Sequence, residues 1–193
     1  TTFITGITLG SLAVSRLFDK DGAGDDPYKW FAIAETGVFL SVLPVIPLYD
    51  HLPFYFAMLA SILERSPEVF PLYLSVKVFV TFLLMLLPTF FIGMTLPLAS
   101  RIAVDRIEVL GKKVGSVFSV NTLGTVLGAS FTGAFILPQL GLRGTLLLGL
   151  GLTGVLALAL WRRVTGLSPA RWRRGGIVMT ALYLGILATG PWN

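Results

Sequence analysis

Apolar residues in this chain come in long runs separated by short polar segments, with little alternation inside the runs. Six runs are legible, at 1–18, 30–48, 72–98, 114–137, 145–161 and 177–188. Most approach the ~20 residues that a helix needs to cross ~30 Å of hydrocarbon. The sixth is shorter. Inside a bilayer each backbone amide needs a partner within the chain, so such runs form helices rather than isolated strands. The pattern predicts an all-α, polytopic transmembrane helix bundle of about six spans, making one domain over residues 1–193. Between Asp50 and Pro71, "HLPFYFAMLASILERSPEVFP" contains an apolar core at 51–63 that is too short to span. It suits an interfacial or re-entrant helix, or an ordinary outer loop with a buried helical turn.

The polar segments give a direction. Twelve of the 15 basic residues lie in three alternate loops, 16–29, 101–113 and 162–174, whereas the opposing loops hold Arg65 and Arg143. A bias of this kind orients a membrane protein with its basic loops in the cytoplasm. Trp30, Trp161, Trp172 and Trp192 fall at the expected span ends, where interfacial tryptophans gather.

Composition strengthens this picture. The chain is 54% hydrophobic and 13% charged, with a mean hydropathy of +0.82. Soluble domains carry about 25% charged residues, so lipid is the expected partner of the outer surface. The net charge of +5 is explained by the basic loops, which removes the case for nucleic acid. The absence of cysteine excludes disulfides and thiolate chemistry, and one histidine, His51, cannot form a multi-histidine metal site. "TTFITGITLG" starts within an apolar run with no basic flank, unlike a signal peptide. Further chain is expected before Thr1 and after Asn193.

Several residues inside the runs are out of keeping with lipid. In "SVFSVNTLGTVLGASFTG", residues 116–133, Gly124 and Gly128 form a GxxxG pair, flanked by a small-residue stripe of Asn121, Thr125, Ala129 and Gly133. Small residues let helix backbones approach closely in membranes, so the stripe is expected to pack helices. Asn121 then bridges to a neighbouring helix or lines a substrate path. Glu35 lies five residues past Trp30, about 7–8 Å along a helix. Intramembrane carboxylates are paired or functional: an ion pair with Arg16 or Arg101, a proton or cation site, and snorkelling all remain open. Lys77 snorkels outward, pairs with Glu64 or Glu68, or faces a path through the bundle. Pro88, Gly93 and Pro97 are expected to kink the third run. Asp25 and Asp26 read as solvated loop charge. No nucleophile elbow, phosphate-binding loop after a strand, or paired-carboxylate arrangement is present; "GLGLTG" at 149–154 lies within an apolar run.

Four segments, "GITLGSLAVSRLFDK", "LLPTFFIGMTLPLASR", "GKKVGSVFSVNTLGTVLGASFTGAFILPQLGLRGT" and "GPWN", together resemble the membrane region of bacterial spermidine-synthase-like integral membrane proteins. The resemblance implies a helical domain related to half of a major-facilitator-type fold, preceding an aminopropyltransferase-type domain. It also implies a cytoplasmic latch at Arg16, Asp19 and Lys20, although the order of Arg16 and Asp19 matches the facilitator pattern only in part. Any S-adenosylmethionine-type nucleoside or polyamine would bind the attached domain, so no catalytic residue carries over to this chain, and no cofactor or metal is expected within it. One conflict follows. Six spans with cytoplasmic basic loops leave Asn193 outside, whereas an enzyme using a cytosolic nucleoside belongs inside. The last run then fails to cross, the attached domain is extracytoplasmic, or it has lost that chemistry.

Three functions follow from these observations: a non-catalytic membrane anchor serving an attached transferase domain, a transporter half moving an amine or other cation, or an accessory subunit of a larger membrane complex. The expected partners are membrane lipid, the chain's own catalytic domain and such a complex.

Overall fold

The computed structural model describes residues 2–19, 26–63, 69–104, 107–165 and 169–188. Every element among them is helical. The order is α1 (Thr2–Asp19), α2 (Pro27–Val42), α3 (Val45–Leu63), α4 (Phe70–Ala103), α5 (Leu110–Phe131), α6 (Leu137–Thr165) and α7 (Pro169–Ala188). A single 3₁₀ turn, Ile107–Val109, precedes α5, and a π turn, Thr132–Ile136, joins α5 to α6. Three helical stretches are long and apolar enough to cross a membrane: Pro27–Leu48, Phe70–Ala103 and Leu110–Thr165. Thr2–Phe18 is a shorter apolar helix. The first turns of α7 carry Arg171, Arg173 and Arg174, and α7 is not among the three.

Helix boundaries follow local chemistry. Asp26 caps α2: its Oδ1 accepts the Tyr28 N–H at 3.0 Å, and Pro27 occupies the first helical position, where no amide bond is lost. Asp26 is therefore a helix cap and not merely loop charge. Pro44 and Pro47 each lack the amide that would continue the ladder, so α2 gives way to α3 at Leu43–Pro44. The segment expected as a separate short helix at 51–63 lies inside α3, which starts six residues earlier at Val45. Two of the expected runs, 114–137 and 145–161, fall in one stretch of 56 residues. Gly141 divides that stretch: its φ of 65° and ψ of −180° lie where only glycine is unstrained. At about 1.5 Å per residue, the 34-residue α4 is some 50 Å long, well beyond the hydrocarbon thickness. It stays helical through Pro88, Gly93 and Pro97.

The centre of the fold is the crossing of α1 and α4, its most extensive helix pair. Gly6 and Gly10, one turn apart on α1, face Thr89, Phe90 and Gly93 on α4. A Cβ on Gly6 would collide with the Thr89 side chain, on Gly10 with the Phe90 carbonyl, and on Gly93 with the Ile7 backbone. Ser11 Oγ–H donates across the seam to the Gly93 carbonyl at 2.9 Å. The same device recurs where α2 meets its neighbours: Gly37 lies against the Phe91 ring of α4, and Gly154 of α6 receives the Phe39 ring, 3.0 Å from its would-be Cβ.

Two apolar clusters fill the interior. Val14, Phe18, Ala34, Met94 and Leu98 join α1, α2 and α4. Phe39, Ile46, Leu147, Leu150 and Ile186 join α2, α3, α6 and α7. Arg143 donates from Nη2 to the Ile186 carbonyl at 3.1 Å, and Tyr183 donates to the Leu147 carbonyl at 3.1 Å, fastening α7 to α6. Outside these clusters the surface is apolar: Val78, Val120, Leu127, Leu152 and Val155 are all exposed. Such an exterior suits lipid and not water.

Replacing Gly10 with Val is expected to lower unfolding stability in detergent by about 1–3 kcal/mol or more, the usual cost of overpacking a tight contact. Gly124→Val, where no described atom lies within 4 Å of a Cβ, is expected to change it by less than about 0.5 kcal/mol. Denaturant titration of both variants measures the contrast.

Candidate functional site

Glu35 and Asn121, drawn from separate apolar runs, line one groove between α2, α4 and α5. Its volume is about 400 Å³. Phe31 and Glu35 come from α2, Thr95, Leu96 and Ala99 from α4, and Ser116, Val117, Val120 and Asn121 from α5. The groove exists because α4 holds α2 closely through Gly37 and Phe91, whereas α5 stands off: none of the 22 residues of α5 is buried.

Glu35 is 9% exposed. Among the described residues its carboxyl has no hydrogen-bond or ion-pair partner. The two arginines that could have served as counter-ions are placed elsewhere. Arg101 lays its guanidinium over the Phe18 ring, 4.1 Å from the centroid, and Arg16 is exposed on α1. The neighbouring residue on α2 has a different task. Thr36 donates to the Ala32 carbonyl at 2.7 Å and accepts the Trp161 indole N–H at 2.9 Å, joining α2 to α6. Two consecutive polar residues thus divide their work: Thr36 holds helices together, and Glu35 faces a space.

On the opposite wall Asn121 and Ser116 are exposed, with neither side chain hydrogen-bonded to another described residue. Thr95 donates to the Ile92 carbonyl at 2.7 Å, which leaves its oxygen lone pairs as acceptors. Among the described residues, no basic side chain lines the groove.

The remaining residues predicted from sequence lie apart from it. Lys77 stands over the Phe56 ring at 5.5 Å, tying α4 to α3; Glu64 and Glu68 lie outside the described residues. Gly124, Gly128 and Gly133 have no described atom within 4 Å of a would-be Cβ, and Thr125 is exposed, donating only to the Asn121 carbonyl. The described chain therefore leaves these glycines uncovered. Pro88 and Pro97 lie within a continuous helix, and Gly93 serves the crossing with α1. Lys20 and the Asp19 side chain lie outside the described residues, as do Asp25, Trp192 and the Trp172 side chain. Gly6 and Gly10 carry the tightest packing and were missed, although "GITLG" is itself a GxxxG.

The three basic segments meet at one end of the bundle. Arg101, of the second, lies over Phe18 in the first, and Arg163, of the third, lies 4.4 Å over the Tyr28 ring, also in the first. Cation–π contacts of this kind are worth about 0.5–2 kcal/mol each, depending on exposure. No group of three metal-ligating side chains occurs among the described residues. No family model, curated protein or solved structure matches this chain.

Because Glu35 holds no partner among the described residues, Glu35→Gln is expected to change unfolding stability in detergent by less than about 1 kcal/mol, or to raise it. A loss of about 3 kcal/mol or more is what breaking a buried ion pair costs, and would mean that the carboxylate is structurally paired.

Proposed function

We propose that this chain is the non-catalytic helical membrane domain of a spermidine-synthase-like integral membrane protein, anchoring an attached aminopropyltransferase-type domain. The observation that carries this reading is α5, a full-length apolar helix with no buried residue and an open glycine stripe at Gly124, Gly128 and Gly133. A helix so built has a surface for close contact with another helix, and the described chain leaves that surface uncovered. A surrounding assembly, whether the rest of the parent protein or a larger membrane complex, is its natural complement. The chain's resemblance to the family in "PTFFIGMTLP" and "NTLGTVLGASFTGAFILPQLGLR" supports the same reading.

In this reading the fold is related to half of a major-facilitator-type bundle, with six spans in the bacterial cytoplasmic membrane. The basic end faces the cytoplasm, by the rule that Lys and Arg gather there. Its meeting of three segments through Phe18–Arg101 and Tyr28–Arg163 supports the orientation. Transport of an amine or other cation is a second function, favoured by the Glu35–Asn121 groove.

The 193-residue chain, purified in detergent, is expected to show no aminopropyl or methyl transfer from a nucleoside sulfonium donor. Measurable turnover overturns the non-catalytic reading. Because the chain has no cysteine, single cysteines report orientation cleanly. Lys112→Cys and Arg173→Cys are expected to react with an impermeant maleimide only after cells are opened, and Arg65→Cys in intact spheroplasts. The reverse pattern rejects the orientation.

A further inference from the structure

We infer that the groove between α2, α4 and α5 is a binding site for a small organic monocation, an amine bearing one ammonium and an apolar body. Four observations converge on this ligand class. The first is Glu35, nine-tenths buried, with no partner among the described residues, on a groove of about 400 Å³. That volume is within the range of small-molecule pockets. A buried carboxylate in an apolar fold calls for a counter-charge, and Arg101 and Arg16, the nearest candidates from sequence, do not supply it. Second, no basic residue among the described ones lines the groove, so none of them supplies the counter-charge.

The third observation is the distribution of the other polar groups. Asn121, Ser116 and Thr95 lie on the walls facing α2, and each offers an oxygen acceptor. An ammonium has three N–H donors, one suited to the carboxylate and the others to such acceptors. Phe31 adds an aromatic ring to the same wall as Glu35, and aromatic rings attract cations. Fourth, the rest of the described lining is apolar, and Glu35 is the one carboxylate among it. A polyamine would leave its further charges unpaired against apolar walls, so the site selects a single charge. The inference shares its groove with the transport reading but does not depend on movement of the ligand across the membrane.

The test uses the chain reconstituted in nanodiscs, with protonated phenethylamine as probe and neutral 2-phenylethanol and spermidine as comparators, read by calorimetry. Saturable phenethylammonium binding at one site per chain is expected. The alcohol and spermidine are each expected to bind at least about tenfold more weakly, the scale of one charge-assisted hydrogen bond. Glu35→Gln is expected to abolish the preference for the ammonium over the alcohol, and Asn121→Ala to weaken the ammonium about threefold or more, while neither changes the helical circular dichroism. Equal binding of amine and alcohol, an unaltered affinity in Glu35→Gln, or no saturable binding overturns the site. Tighter binding of spermidine overturns its monovalency. Binding without counterflow uptake of labelled phenethylamine into proteoliposomes removes transport and leaves the site standing.

Discussion

Close approach of two backbones, at Gly6 and Gly10 on α1 against Gly93 on α4, is the contact on which the rest of this fold depends. Helices in lipid gain little from hiding apolar side chains from one another, because lipid tails are equally apolar. What remains is contact between backbones, interhelical hydrogen bonds and a few polar bridges. The α1–α4 seam has the first two together, since Ser11 reaches the Gly93 carbonyl within the same crossing. With α4 fixed on α1, α2 settles against the other flank of α4 through Gly37 and Phe91, and α6 against α2 through Gly154 and Phe39. A chain of helix pairs results, each joined at a glycine.

That construction also creates the groove. Glycine contact at Gly37 brings α2 and α4 together, and α5 has no comparable contact with either. Its glycines, Gly124 and Gly128, have no described atom within 4 Å of a would-be Cβ. The space left between a tightly held pair and a loosely held third helix contains the one buried acidic side chain among the described residues. Packing and chemistry are therefore linked: had α5 approached through its small residues, Glu35 would have been sealed against Asn121 and Ser116 instead of facing a cavity.

Much of this was legible from residue order. Run lengths and the want of charge gave helices with lipid-facing exteriors, and the alternation of basic loops anticipated that Arg101 and Arg163 lie with Phe18 and Tyr28 at one end. Glu35 and Asn121 stood out separately because each is polar in an apolar run; that they share a groove depends on which helices are neighbours, which no local pattern encodes. The choice between two GxxxG pairs was equally hidden. Gly6–Gly10 and Gly124–Gly128 have the same spacing, and only the partner across the seam distinguishes them. Pro88 and Pro97 were expected to kink the run; α4 is continuous through both, and a kink at an interior proline is compatible with an unbroken helix. The break that does divide a long run is at Gly141, through its positive φ.

The central claim is that hydrocarbon surrounds the exposed faces of α4, α5 and α6 while glycines hold the helices together within. Nitroxide labels at Val78, Val120 and Val155, exposed positions on those three helices, test it directly by power saturation in liposomes. Collisions with oxygen, which concentrates in lipid, are expected to exceed collisions with a water-soluble nickel chelate at all three positions. Preferential access of the nickel chelate to any of these faces would contradict the account.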